Sequence, residues 1–160
     1  MFLESEKVNP QIDVADYSGP IEIANIPGKG RGIVASRDIK EGTLLVVSKA
    51  FSTSLCQDYP SLLVELKKFK KGTASADQIL QVTQIMKNLQ NNPNFGKEVY
   101  DLYADDLERD IDLPFGVIDA ARVQQISACN TFATADLGEN SEMIDKIRLF
   151  IVPSYFNHSC

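Results

Sequence analysis

The sequence predicts a β-rich α+β domain in which a helical insert separates two strand-forming segments. Apolar residues alternate with polar ones near the start of the chain, at Ile21 and Ile23, and again over residues 146–152. Between these segments, apolar residues recur at the three- and four-residue spacing of a helix. The chain has 160 residues, which is an ordinary size for one domain.

Residues 18–50 are predicted to form a meander of short strands. The first strand covers residues 20–26, and Ile33 and Val34 suit the second. Residues 43–48 are apolar enough to form a third strand that is buried on both faces. Residues 1–17 are polar and lack clear periodicity, so we expect them to be a disordered lead-in to the meander.

Residues 51–128 are predicted to form the helical insert. A first helix is expected over residues 60–71, and a second begins at the capping-box pattern of Ser75 and ends near Pro93. Asp119 can cap a third helix. The residues expected to face the core are Ile79, Val82, Met86 and Leu89 in the second helix, and Val123 and Ile126 in the third.

Two breaks frame the last part of the insert and the segment that follows it. Leu113–Gly116 contains proline and glycine, and it is predicted to be a turn before the third helix. Residues 129–160 then return to strand structure, and Pro153 is expected to end the strand over residues 146–152. The chain therefore closes on a short segment that carries polar side chains.

The composition excludes several classes of protein. The formal net charge of −6 argues against direct binding of nucleic acid. No apolar stretch is long enough to span a membrane, and no secretory signal is visible, so we expect no membrane partner. The three cysteines, Cys56, Cys129 and Cys160, are spaced too widely for a disulfide framework. Reduced thiols and an intracellular location, in the nucleus or the cytoplasm, are therefore expected.

The first segment with chemical potential is Gly28-Lys29-Gly30-Arg31-Gly32. Glycines at alternate positions let backbone N–H groups approach a ligand closely, because no Cβ atom intervenes. A dinucleotide-binding fingerprint would need a third glycine where Ile33 stands and a helix afterwards, and here a strand follows. A P-loop is excluded by spacing. Taken alone, the segment indicates only a glycine-rich hairpin.

The second segment is Tyr155-Phe156-Asn157-His158-Ser159-Cys160, at the end of the chain. His158 is the only histidine, and a lone histidine is more often structural than catalytic. Cys160 and His158 could form the catalytic pair of a cysteine protease. That interpretation is unsupported, because the sequence shows no residue to orient the histidine and no oxyanion hole. The two residues also supply at most two of the four ligands of a structural zinc site.

The order of these pieces resembles a SET domain, the protein-lysine methyltransferase fold of the β-clip type. The pieces are a strand, Gly28–Ala35, the turn near Gly42, a helical insert and a strand that leads into Asn157–Cys160. The segment Ile126–Phe132 is similar to the Ile-x-x-x-Asn-x-Phe segment of the SMYD-type branch. That branch carries a zinc-binding MYND insert with clustered cysteines, which this chain lacks, as in SET proteins with tetratricopeptide repeats.

The resemblance implies S-adenosylmethionine as cofactor and a lysine-containing protein or peptide as substrate. Lys29 and Arg31, with Gly30 between them, would contact the carboxylate end of the cofactor. Asn130 would hydrogen-bond its amino-acid portion. Asn157 and His158 would hold its amino group and the adenine edge.

The resemblance also implies which parts of the fold this chain does not contain. The catalytic tyrosine of the family follows a Gly-Glu-Glu-like segment, and both are expected beyond Cys160, because Tyr155 does not match the tyrosine's position. Cys160 would be one ligand of a zinc ion whose other cysteines come later. We therefore expect an incomplete SET fold that is marginally stable, prone to aggregation and catalytically inactive as this 160-residue chain.

Two other readings stay open from the sequence. A SET-fold module without catalysis would recognise peptides or partner proteins through residues 51–116. An unrelated β-clip or antifreeze-like domain would share the glycine hairpin, but it would not account for Asn157–Cys160.

Overall fold

The structure is a computed structural model that describes residues 16–55, 63–65, 73–105, 114–137 and 143–157. The chain divides into two compact units, Met1–Lys49 and Ala50–Cys160. The described residues contain both helices and strands, and their strands lie in four small sheets. The SET fold itself stays a prediction. Among the described residues, no helix is long and apolar enough to cross a membrane.

The first unit consists of short antiparallel strands. Its strands are β1 (Tyr17–Ser18), β2 (Ile21–Ile26), β3 (Gly30–Ala35) and β4 (Val46–Val47). Strands β2 and β3 form a hairpin in which Ile26 pairs with Gly30, and β1 pairs with β4. The first two predicted strands are therefore confirmed, because alternating apolar residues and a glycine turn are local signals.

Two predictions for this unit are wrong in extent. The expected third strand over residues 43–48 is reduced to β4, and Leu44 is 57% exposed, so the strand is not buried on both faces. The short strand pairs only with β1, which has two residues. The predicted disordered lead-in, residues 1–17, also extends too far. Tyr17 lies in β1, and the Asp16 carboxylate accepts a 2.7 Å hydrogen bond from the Lys49 backbone N–H. Residues 1–15 lie outside the described part.

The second unit combines helices with a three-stranded sheet. Its helices are α1 (Ala76–Asn91), α2 (Gly96–Tyr100) and α3 (Ala120–Asn130), with short 3₁₀ turns at Pro93–Phe95 and Pro153–Tyr155. Its strands are β5 (Ser52–Leu55), β6 (Leu63–Glu65), β7 (Thr73–Ser75), β8 (Thr131–Leu137) and β9 (Met143–Leu149). The sheet order is β5-β9-β8, all antiparallel, and β6 pairs with β7.

The core of this unit lies where α1 and α3 pack on each other and on the sheet. Its buried apolar residues are Ile85, Leu89, Val99, Leu102, Val123, Ile126 and Leu149. Two polar side chains of α1 attach the helix to the segment around β5. The Gln81 amide donates a 2.8 Å bond to the Ser52 hydroxyl, and the Asn88 amide donates to the Phe51 carbonyl. The helix is thus held by both apolar burial and directed hydrogen bonds.

The predicted helix over residues 60–71 is wrong where the structure describes it. Residues 63–65 form β6 and pair with β7. The other residues of the predicted helix lie outside the described part. The helix was predicted from apolar residues near one helical face, Leu62, Leu63, Leu66 and Phe69. Such spacing is weak evidence, because partners in a strand ladder can override local preference. The hydrogen bonds to Thr73–Ser75 are such a tertiary effect.

The other two predicted helices are confirmed. Helix α1 begins directly after Ser75 and ends at Asn91, but its most buried face is Gln81, Ile85 and Leu89, so the predicted stripe is displaced. Ile79, Val82 and Met86 are only half-buried. The Asp119 carboxylate caps α3 by accepting a 2.9 Å bond from the Arg122 N–H.

The core residues of the third helix agree with the prediction, whereas the strand after it ends earlier than predicted. Val123 and Ile126 face the core as predicted, and both are fully buried. Strand β9 ends at Leu149, so it stops before the predicted end at residue 152, and a 3₁₀ turn follows at Pro153. The residues before Asn157 are therefore a turn rather than a continuous strand.

Candidate functional site

The glycine hairpin has an open backbone at its turn. Gly28 and Gly30 have φ angles of +73° and +70°, a region that L side chains rarely adopt. An added Cβ atom at either position would meet no heavy atom within 4 Å, so the glycines are needed for conformation and leave free space beside them. Lys29 lies between them and its N–H donates a 3.0 Å bond to the Ile26 carbonyl. The side chains of Lys29 and Arg31 are exposed.

Asn130 is buried at the junction of α3 and β8. It is only 7% exposed, and its Nδ2 donates to the Tyr103 carbonyl at 2.7 Å and to the Ile126 carbonyl at 2.8 Å. Two carbonyl partners fix the orientation of the amide, because carbonyls only accept. Both amide protons are thus used within the protein. A ligand could engage the side chain only through Oδ1, as a hydrogen-bond acceptor.

Asn130 also lies next to the segment that precedes the terminal motif. The Ser154 hydroxyl is 3.4 Å from the Asn130 carbonyl oxygen and closer to the Phe150 carbonyl, at 2.5 Å. Since a hydroxyl has one proton, the bond goes to Phe150 and the Asn130 carbonyl is a near neighbour. Tyr155 is buried, whereas Asn157 is exposed and accessible to a ligand. The structure therefore places the Asn130 carbonyl next to Ser154, which precedes Asn157 by three residues in the chain.

The other predicted site residues lie in the first unit or outside the described residues. Lys29, Gly30 and Arg31 belong to the first unit, and Asn130 and Asn157 to the second. His158 and Cys160 lie outside the described residues, so the predicted zinc ligand is not described. Among the described residues, no group of three or more His, Cys, Asp or Glu side chains could hold a metal ion.

Cys129, beside Asn130, is not an activated nucleophile. Partial burial, followed by the negative charge of Asp105, raises the pKa of the Cys129 thiol above its ordinary value. The Gln125 amide contacts its sulfur at 3.8 Å and opposes that rise in pKa. Because the thiolate is the reactive form, a raised pKa makes this thiol less reactive at neutral pH.

The second unit contains a cavity that was not predicted from the sequence. The cavity has a volume of about 480 Å³ and lies between the end of α1, helix α2 and the loop before α3. Leu113–Gly116 was read only as a break, and the described Pro114–Gly116 is indeed a turn. The sequence shows an aromatic residue, Phe115, between the proline and the glycine of that break, and only the structure shows that its side chain is exposed.

No family model matches the chain. The chain is similar to a protein from Gibberella zeae named "Methyltransferase", with 27% identity over 184 aligned positions. The alignment covers 100% of this chain and 25% of that protein. The chain thus spans about a quarter of the length of the relative that it matches.

Proposed function

We propose that this chain is part of a methyltransferase that uses S-adenosylmethionine to methylate lysine residues of proteins. The observation that carries the proposal is the similarity to the Gibberella zeae protein named "Methyltransferase", which extends over the whole chain. The similarity supports methyl transfer in general. The cofactor and the lysine substrate rest on the resemblance of the glycine hairpin and the Asn157 segment to a SET domain.

The residues of the chain fit the amino-acid end of this cofactor, which supplies an electrophilic methyl group on a sulfonium. Lys29 and Arg31 are exposed cations on either side of Gly30, whose backbone is open to a ligand. A carboxylate beside such cations forms charge-assisted hydrogen bonds, which are about twice as strong as neutral ones. The free acceptor Oδ1 of Asn130 suits the ammonium group next to that carboxylate.

In this proposal the residues of the chain hold and orient the cofactor through charges and hydrogen bonds. The hairpin cations would hold the carboxylate, and Asn130 and Asn157 would orient the ammonium group. Such orientation of reacting groups is worth about 7–11 kcal/mol in favourable cases. The acceptor lysine must lose a proton, because its pKa in water is about 10.4. A formal net charge of −6 would attract lysine-rich segments of a protein substrate.

The role of the cations predicts a preference for the cofactor's carboxylate. In equilibrium dialysis, we expect the chain to bind S-adenosylmethionine at least about tenfold more tightly than its decarboxylated analogue, as for a charge-assisted pair. The double variant Lys29→Ala/Arg31→Ala should lose most of that preference while keeping its affinity for the analogue.

The matched control is Arg37→Ala/Lys40→Ala, which removes one arginine and one lysine that are also exposed in the first unit. It should keep the preference. Equal affinity of the unchanged chain for the two compounds would contradict the assigned role of Lys29 and Arg31. A chain that binds neither compound would count against the cofactor itself.

A further inference from the structure

The cavity in the second unit has the size and walls of a ligand site. Its volume of about 480 Å³ falls in the range of small-ligand pockets, which is about 300–1,000 Å³. Leu89 and Pro93 form one wall, Tyr100 of α2 forms another, and the turn at Pro114–Val117 forms the third. These walls are mostly apolar, as is usual for pockets that bind ligands.

The turn presents apolar side chains to solvent in a fixed conformation. The Val117 N–H donates a 3.0 Å bond to the Pro114 carbonyl, and Gly116 has a φ of +85° that only glycine adopts readily. Within this turn Phe115 is 85% exposed and Val117 is 48% exposed. Both line the cavity, so an apolar surface surrounds its mouth without a covering element among the described residues.

The charges at the cavity favour a negatively charged ligand. Lys97 lines it, is exposed, and has no ion pair among the described residues. Arg122 also lines it and donates two bonds to the Tyr100 carbonyl, at 3.2 and 2.9 Å. The carboxylate of Asp119, which lines it as well, accepts the capping bond of α3. Because Arg122 and Asp119 both make contacts within the protein, Lys97 is the exposed charge of the lining, and it favours a carboxylate.

We propose that this cavity binds an acidic peptide segment in which a large apolar side chain lies next to a carboxylate. The apolar side chain enters between Tyr100 and the Pro114–Val117 turn and covers Phe115. The carboxylate faces Lys97. Lys97 would repel the cationic side chain of a lysine substrate at this cavity, so the peptide is a partner and not the methyl acceptor.

The test uses isothermal titration calorimetry of the full chain with the peptide acetyl-Gly-Glu-Phe-Glu-Gly-amide. We expect saturable binding that weakens at least about fivefold when the two glutamates of the peptide are replaced by glutamine. Lys97→Glu should weaken binding about tenfold, because it replaces attraction by repulsion. Phe115→Ala should weaken it by a similar factor, and this exposed side chain can be removed without loss of folding.

The matched control is Lys87→Glu, which makes the same charge change at an exposed position of α1 outside the cavity. It should alter the affinity less than about twofold. Equal weakening by Lys87→Glu and Lys97→Glu, or equal binding of the glutamine peptide, would overturn the proposal. Absence of binding by the unchanged chain would overturn it too. This includes the case in which binding appears only after residues 106–113, four of which are acidic, are replaced by a Gly-Ser segment.

Discussion

Replacing Ile126 with alanine is expected to lower the free energy of unfolding of the Ala50–Cys160 unit by about 3 kcal/mol. Ile126 is fully buried on α3, and it shares the core with Ile85 of α1 and Leu149 at the end of β9. Truncation removes apolar burial and leaves a cavity that packed neighbours fill only in part. A loss of this size is a large part of the roughly 5–15 kcal/mol that stabilises a whole domain.

Urea unfolding followed by circular dichroism at 222 nm measures this loss. Ile126→Val keeps most of the side chain and should cost only about 1 kcal/mol, so the two variants form a graded pair. If the variant and the unchanged chain have the same slope of unfolding free energy against urea concentration, the substitution has changed stability. A different slope would mean that it has changed the compactness of the folded or the unfolded state. If Ile126→Ala unfolds within 1 kcal/mol of the unchanged chain, the core described around α3 is wrong.

Replacing Asn130 with alanine is expected to cost about 2 kcal/mol in stability and to weaken binding of S-adenosylmethionine at least about tenfold. The stability loss follows from the carbonyls of Tyr103 and Ile126, which both lose the Asn130 amide as a donor, and the bond to Ile126 is buried. Leaving a buried acceptor without a partner costs about 1–3 kcal/mol. The loss of affinity follows from the proposal that Oδ1 accepts a hydrogen bond from the cofactor's ammonium group.

The matched control is Asn92→Ala. Asn92 also donates from its side chain to a carbonyl four residues earlier, that of Asn88, at 3.1 Å, but it is exposed. Water replaces the lost partner there, so the change should stay within about 0.5 kcal/mol and leave cofactor binding unaltered. An Asn130→Ala protein that keeps full cofactor affinity would remove Asn130 from the proposed site, whatever its effect on stability.

Local signals account for the parts of the fold that were predicted correctly. The cap at Asp119, the start of α1 after Ser75 and the glycine turn between β2 and β3 each depend on residues close together in the chain. The strand at 63–65 was missed because its partner, β7, begins eight residues later and no local pattern specifies the pairing. The displaced face of α1 has a similar cause, since Gln81 is buried by its bond to Ser52.

The site residues were named by resemblance and differ in how far geometry supports a role. For Asn130, the structure adds what the sequence could not, namely that both amide protons are occupied and only Oδ1 is free. For Lys29 and Arg31, it adds an open backbone beside exposed cations. The cavity near Phe115 was missed because two stretches that lie apart in the chain, residues 89–100 and 114–122, build it.

We propose that residues of the hairpin and residues of the Asn130–Asn157 segment both take part in binding S-adenosylmethionine. A titration of the ¹⁵N-labelled chain, read from its amide resonances, tests this most directly. We expect the amides of Gly30 and Arg31 to shift along the same binding curve as those of Asn130 and Asn157. Shifts confined to one of these two groups, or two curves with different midpoints, would contradict the claim.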